Sequence, residues 1–294
     1  MERRGTMQRD KIDQQNVSLF SCPVCGEPLW YGEKEYLCKN GHRSDIASEG
    51  YVHLLPPNQM HSKVPGDNKQ MVMARRKFLE SGFYQIFSDA MNGIIYEEVL
   101  ENNHPVILDA GCGEGYYTAR LSRFLKQKGI SERTAGFDIS KFAIKAAAKR
   151  YRKNEGIEFA VASIFQIPVR EKQADCVIDV FAPIVPEEFF RVLKPGGLLL
   201  LAVPAERHLW QLKQVLYEKP YENEKKDIFY EGFTFLNRKT AQGKILIEGN
   251  EMIQNLFAMT PYYWKTPLEG CERLKKLQEL TVEIAFDFLS YRRN

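Results

Sequence analysis

The 294-residue chain has no long apolar run. No stretch approaches the roughly 18 to 20 apolar residues that a membrane-crossing helix needs, so no membrane association is expected. The opening, MERRGTMQRDKIDQQNVS, lacks the apolar centre of a secretory signal, which points to the cytoplasm. Cysteine is scarce: six residues spread over a chain of this size cannot form a disulfide scaffold. A strong charge of one sign is missing too, with 41 Lys and Arg against 38 Asp and Glu and a formal net charge of +3. Such a mild basic bias permits an anionic partner only where the cations cluster. Internal repeats and low-complexity segments are absent, and 44% hydrophobic composition is ordinary for a globular protein with a proper core.

What cysteine there is sits unevenly. The stretch FSCPVCGEPLWYGEKEYLCKNGHRSD, residues 20 to 45, holds three of the six cysteines and one of the five histidines. Its spacing, Cys22-x2-Cys25-x12-Cys38-x3-His42, offers three thiolates and an imidazole, which fill all four positions of a tetrahedral zinc ion. A closed site of this kind is structural. A redox CxxC pair would leave Cys38 and His42 without a role. The intervening EPLWYGEKEYL reads as a hairpin, and a module of about forty residues needs the metal in place of a core. Its aromatics Phe20, Trp30, Tyr31, Tyr36 and Tyr51 and its cations Lys34, Lys39 and Arg43 either cover the hairpin or stack on bases and neutralise phosphates. Cys112, Cys176 and Cys271 read as packing residues.

Four regions follow from composition. Residues 1–16 are polar and read as a disordered tail, and 17–60 form the zinc-binding module, closing on the short apolar strand of EGYVHLLPPN. Residues 61–104 form a helical linker: HSKVPGD is a connection, and DNKQMVMARRKFLESGFYQIFSDAMNGIIYEEVL carries apolar residues at helical spacing, broken at Ser81-Gly82. Residues 105–294 alternate strand and helix. PVILDAG, TAGFDIS, IEFAVAS, ADCVIDVFAP and LLLLAVPA read as strands, with helices between and PEEFFRVLKPGG as a helix ending on glycine. That rhythm predicts an α/β doubly wound, mostly parallel sheet with right-handed crossovers. KILIEG and VEIAFDFLSYRRN supply edge strands.

The first of these strands runs into LDAGCGEGYYTARL, which places Asp109, Gly111, Gly113 and Gly115 in the pattern D-x-G-x-G-x-G. Glycines there allow a tight turn and bring backbone amides close to a ligand at a helix N-terminus. A dinucleotide fingerprint would need glycine where Tyr116 stands. The spacing suits S-adenosylmethionine instead, which has no pyrophosphate and turns its amino acid half to the loop. Asp138, closing GFDIS, is placed to accept both ribose hydroxyls. Alone, a glycine turn is strand-to-helix punctuation and a strand-end Asp is a cap. In this order, with LKPGG before the fifth strand, they indicate a class I Rossmann-like S-adenosylmethionine-dependent methyltransferase domain behind a small N-terminal zinc-binding module. Where many methyltransferases carry an acidic residue for the adenine amine, this chain has VASIFQIP, which leaves the backbone amide of Ile164 as the candidate. DVFAP, after the fourth strand, offers Phe181 for stacking on an acceptor and Asp179 as a candidate base, or as a plain strand-end residue. ARRKF (Arg75, Arg76, Lys77) and the helix face Lys141, Lys145, Lys149, Arg152 are solvated cationic faces or phosphate contacts.

The motifs CPVCGEPL, EGYVHLLP, PGDNKQMVMARRKFLESGFY, LDAGCGEGYYT, SKFAIKAAAKRY, LKPGG, ERHL and MTPYYW, in this order from about residue 20 to the C-terminus, together resemble the RlmA-type 23S ribosomal RNA guanine-N1 methyltransferases. The resemblance implies methylation of a guanine in hairpin 35, zinc on Cys22, Cys25, Cys38 and His42, and a dimer whose combined cleft holds RNA. It also implies cofactor contacts from Tyr84, from Gly113 with Glu114, and from His208. On residues alone Tyr84 reads as core packing, and Glu114 as an acid favouring a helix N-terminus. His208 follows the fifth strand, at the sheet edge where ligands of open α/β folds bind. Two competing readings are a small-molecule, quinone-type methyltransferase, for which the zinc module has no use, and a non-catalytic RNA-binding protein, which the intact glycine loop argues against.

Overall fold

The computed structural model describes residues 17–57, 65–150, 156–225 and 229–294. The expected tail at 1–16, part of the HSKVPGD connection and Arg152 lie outside the described residues. The chain opens with β1 (Val17–Ser21), β2 (Pro28–Tyr31), β3 (Glu35–Leu37) and β4 (Arg43–Asp45), an antiparallel sheet in that order. The hairpin expected between the cysteine pairs is β2 and β3, with Trp30 opposite Leu37.

The next strand, β5 (Val52–His53), leaves this ribbon and pairs in parallel with β8 (Ile157–Val161), as the outermost strand of the main sheet. The short strand that closes the 17–60 segment is therefore shared with the sheet of the 105–294 segment. Between them run α1 (Lys69–Glu80) and α2 (Gln85–Val99). Asn68 caps α1 by accepting from the Met71 amide at 3.0 Å. The break between the helices falls at Gly82, whose φ of +82° suits glycine.

The main sheet continues with β6 (Val106–Ala110), α3 (Tyr116–Gln127), β7 (Arg133–Asp138), α4 (Lys141–Arg150), β8, β9 (Ala174–Val180), α5 (Pro186–Val192), β10 (Leu193–Pro204) and α6 (Trp210–Leu216). It ends with β11 (Phe233–Glu248), α7 (Asn250–Ala258), a 3-10 turn at Pro261–Trp264, α8 (Leu268–Lys275) and β12 (Glu279–Arg293). Strand order is β11-β12-β10-β9-β6-β7-β8-β5, parallel from β10 to β5, with β12 antiparallel to both neighbours. Strands covered on both faces read as continuous apolar runs, as Leu198–Ala202 does. One boundary differs from the sequence reading: the helix before LKPGG stops at Val192, and β10 starts at Leu193 with an irregularity before Leu198. Pro195 pushes Lys194 out of the helical region, so the turn is drawn into the strand.

The connection from β8 to β9 contains no helix, although a doubly wound sheet normally covers such a crossover with one. The ribbon takes that place. Phe20, Leu29 and Tyr36 bury themselves in the same cluster as Ala135, Phe137, Ala160 and Val177 of the sheet. Polar seams fix the contact: the Ser21 amide donates to the Pro168 carbonyl at 2.8 Å, and Leu54 to Val161 at 2.9 Å. Glu158, buried on β8, accepts from the Ser18 hydroxyl and from the Leu19 amide at 3.0 Å, with Arg133 3.5 Å away. Outside the seam, Lys145 of α4 pairs with Glu49 at 2.8 Å.

Replacing Glu158 by Ala strands two buried donors and one cation, and should cost about 2–4 kcal/mol. Thermal denaturation of Glu158→Ala is the check; an unchanged midpoint would show that this seam does not hold the ribbon.

Candidate active site and metal centre

The four candidate ligands converge: one donor atom each from Cys22, Cys25, Cys38 and His42 lies within 4.8 Å of the others. A tetrahedral zinc ion at ordinary bond lengths requires sulfur–sulfur edges of about 3.8 Å and sulfur–nitrogen edges of about 3.6 Å. The observed edges are 3.7 Å for Cys25 Sγ to Cys38 Sγ, and 3.5 and 3.4 Å from His42 Nδ1 to the sulfurs of Cys22 and Cys38. The donors are preset by two turns, in which Gly26 donates to the Cys22 carbonyl at 2.8 Å and Gly41 to that of Cys38 at 2.9 Å. The residues fit zinc, and four protein donors close the site to chemistry.

The second constellation gathers at the carboxyl ends of the parallel strands, where ligands of open α/β sheets bind. Asp138 ends β7; its two oxygens accept from the Gly113 amide at 3.0 Å and the Ser140 amide at 2.7 Å. A carboxylate has about four acceptor positions, so two stay available for ribose hydroxyls. Gly111, at φ +76°, has no room for a side chain: a Cβ there would lie 2.6 Å from that of Ala182. The loops after β6 and β9 therefore touch. Four of the loop's amides are taken up within the protein: those of Gly111 and Cys112 donate to the Phe137 carbonyl, that of Gly113 to Asp138, and that of Gly115 to the Cys112 carbonyl.

Buried acids ring this loop. Asp109 accepts from the Thr118 hydroxyl at 2.5 Å through one oxygen while its Oδ1 has no partner, and burial pushes its pKa up to about 7. Glu114 pairs with Arg150 at 2.5 Å and leaves Oε1 unpartnered; burial raises its pKa against the pull of that arginine. Asp179 accepts from the Ala182 amide at 3.1 Å, leaves Oδ2 unpartnered, and is pushed up to about 8, chiefly by burial. Three orphaned carboxylate oxygens around one loop call for a polar, cationic occupant. S-adenosylmethionine, with sulfonium, ammonium and hydroxyl groups, fits that demand.

Tyr84 and His208 meet from opposite sides. Tyr84 follows the α1–α2 break, is buried against Phe78 and Phe286, and brings its hydroxyl 3.4 Å from His208 Nε2. The Ala285 amide donates to His208 Nδ1 at 3.2 Å, which assigns the remaining ring proton to Nε2. Burial, with Lys213 nearby, drops the His208 pKa to about 3, so the ring is neutral at physiological pH, and burial raises that of Tyr84. Phe181 has a φ of +59° and stays 44% exposed, its ring nearly parallel to those of Phe87 at 5.6 Å and His208 at 6.4 Å. Leu209, next to His208, has a φ of +57°. Left-handed backbone at non-glycine residues costs on the order of 1 kcal/mol and collects at functional sites. Ile164 is buried just after β8, where the Ala162 amide reaches the Asp138 carbonyl at 3.0 Å.

The cationic stretch ARRKF divides. Arg76 and Lys77 face outward, paired with Glu80 at 2.9 Å and Glu251 at 2.6 Å, whereas Arg75 turns inward to Asp67 beside Gly113. By sequence Arg75 reads only as part of a solvated cationic face or a phosphate contact, and Arg150 beside Glu114 is not singled out. The signal for Arg75 lay in its register, since it stands among Met71, Val72, Phe78 and Leu79 on the buried stripe of α1. In the ribbon, Phe20, Tyr36 and Tyr51 are buried, leaving Tyr31 as the exposed ring, and Lys39 and Arg43 pair with Glu27 and Glu35.

Asp138→Ala removes the acceptor shared by the Gly113 and Ser140 amides, and calorimetry should then detect no cofactor binding; retained affinity would displace the site from this loop. Gly111→Ala, forced against Ala182, should lower both the melting temperature and the cofactor affinity.

The comparisons with known proteins agree with both centres. The N-terminal zinc-ribbon model of RlmA matches residues 20–63, and a methyltransferase domain model matches residues 101–258. The chain is 30% identical over 295 residues to a putative 23S rRNA (guanine-N(1)-)-methyltransferase of Micromonospora griseorubida, covering 92% of this chain and 96% of that one. It is 29% identical over 280 residues to the 23S rRNA (guanine(748)-N(1))-methyltransferase of Streptomyces fradiae, covering 92% and 96%. A putative 23S rRNA (guanine-N(1)-)-methyltransferase of Bacillus subtilis is 29% identical over 281 residues, covering 93% and 97%. Ribbon, glycine loop and end-to-end similarity converge: the chain belongs to the RlmA-type 23S rRNA (guanine-N1)-methyltransferase family.

Proposed function

We propose that the protein methylates N1 of a guanine in hairpin 35 of 23S rRNA, using S-adenosylmethionine, in the cytoplasm. The observation that carries the reading is similarity that spans ribbon and catalytic sheet together, over more than nine-tenths of the chain. A small-molecule methyltransferase has no use for a ribbon built into its sheet. A homodimer whose joined cleft holds the RNA belongs to the same proposal, on the family resemblance. No helix among the described residues is long and apolar enough to cross a membrane.

The cofactor, when bound, supplies a sulfonium-linked methyl group for in-line transfer. The chain's own residues would hold it: Asp138 at the ribose hydroxyls, the backbone amide of Ile164 at the adenine, and Tyr84, Gly113, Glu114 and His208 as further contacts. Holding two reactants at attack distance in a dry pocket supplies much of such a rate enhancement. A guanine in a hairpin must leave its stack to be reached. Phe181, held out by its left-handed backbone and backed by the buried Phe87 and His208, offers the exposed aromatic face against which the base would lie. N1 carries a proton that has to depart, and Asp179 Oδ2, buried without a partner, is the acceptor. Its elevated pKa suits the task, because a base works best when its pKa is near the operating pH.

The sign of the pH dependence follows. Only ionised Asp179 accepts a proton, so turnover should rise as pH increases through about 8. Asp179→Asn should lower kcat by about 10²-fold or more and flatten that rise, with cofactor affinity kept. A variant retaining the rise would exclude Asp179 as the base. Primer extension on 23S rRNA from a deletion strain tests the substrate, since methylation of N1 blocks base pairing and stops reverse transcriptase. One stop in hairpin 35 should vanish; if every stop persists, the substrate is wrong.

A further inference from the structure

The glycine loop itself offers a carboxylate few of the amides that it would ordinarily use there. Anions bind helix N-termini through backbone N–H groups, and four amides of this loop, those of Gly111, Cys112, Gly113 and Gly115, are taken by protein acceptors, which leaves the first turn of α3 to supply any backbone donors. The acid side chains around the loop, Asp109, Glu114 and Asp138, repel an anion further. A cofactor whose amino acid end carries a carboxylate is therefore best held by a cation from outside the loop.

Arg75 is that cation, by position. It projects from α1, and its Nη1 lies 3.7 Å from where a Cβ on Gly113 would stand, so the guanidinium covers the centre of the loop. Nη1 pairs with Asp67, whose carbonyl accepts from the Ser140 hydroxyl at 2.6 Å, and the Ser140 amide in turn binds Asp138. Asp67 thus anchors the arginine to the strand end that holds the ribose acceptor. A guanidinium has five N–H donors; besides the Asp67 contact, Nη2 reaches the Met259 carbonyl only at 3.5 Å, the outer limit of a hydrogen bond. Donors remain for a planar, two-oxygen acceptor. The positive charge of Arg75 is felt at Glu114 and Asp138, where it favours the ionised forms. Arg150, the other arginine near the loop, is committed to Glu114 at 2.5 Å and Glu80 at 3.4 Å.

We propose that Arg75 binds the carboxylate of S-adenosylmethionine, as a cofactor ligand and not as an RNA phosphate contact. The proposal rests on the reading that the glycine loop faces the amino acid half of the cofactor. It gives the inward arginine of ARRKF a role separate from that of Arg76 and Lys77, and it makes α1 a wall of the cofactor site.

Calorimetry on the full-length protein with S-adenosylmethionine and with decarboxylated S-adenosylmethionine, which lacks only the carboxylate, tests it. The wild type should prefer the intact cofactor by roughly ten- to hundred-fold, the range expected for a charge-assisted hydrogen-bonded pair. Arg75→Met should lose that preference while binding the decarboxylated compound within about twofold of wild type, which also shows that the variant is folded. Arg75→Lys, with the charge but not the fork, should fall between. A preference retained in Arg75→Met, with or without weakened RNA binding, would overturn the assignment, and so would an equal loss for both ligands. A wild-type protein that binds neither compound would bring down the cofactor reading itself, and Arg75 with it.

Discussion

A parallel sheet must be buried on both faces, and here one part of one face has no helix to cover it. The crossover from β8 to β9 supplies only loop, so the apolar side chains of Ala135, Phe137, Ala160 and Val177 are closed off by Phe20, Leu29 and Tyr36 of the ribbon. A forty-residue ribbon holds its shape through zinc, because its own burial is too small. The metal thereby stabilises a layer of the catalytic domain as well as the ribbon itself. The Glu158 seam and the β5–β8 pairing turn that contact into one body, with the ribbon fixed to the edge of the parallel sheet.

A second constraint is electrostatic. Asp109, Glu114, Asp138 and Asp179 lie close to one another in a region dry enough to raise the pKa of each. Such a cluster is expensive to keep ionised without compensation. Arg150, Arg75 and the amides of Gly113, Ser140 and Ala182 supply part of it from within the chain. The remainder is suited to a ligand with two positive groups, which links the choice of cofactor to the same burial that raises the pKa of Asp179.

The sequence was most informative where one residue type has one physical use. Three cysteines and a histidine at zinc spacing, glycines in a strand-to-helix turn, and five apolar runs as strands all correspond to what the structure contains, although no helix separates the third run from the fourth. It was least informative where partners come from distant segments. That β5 leaves the ribbon for the main sheet depends on β8, a hundred residues away, and two residues of strand carry no pattern by themselves. The unpartnered oxygen of Asp179 is likewise a property of its surroundings. Arg75 lay between these cases: helical register put a cation on a buried stripe, but only the loop opposite explains why it is there.

The central claim is that zinc holds a structural layer of the catalytic sheet. Hydrogen exchange read by mass spectrometry, before and after the metal is chelated, tests it most directly. Loss of zinc should speed exchange in the ribbon, in 52–54 and in 157–161 together, with the central strands β6 and β9 still protected. Faster exchange confined to 17–45, with β8 unchanged, would mean that the ribbon is a separate module and that the account of the sheet is wrong.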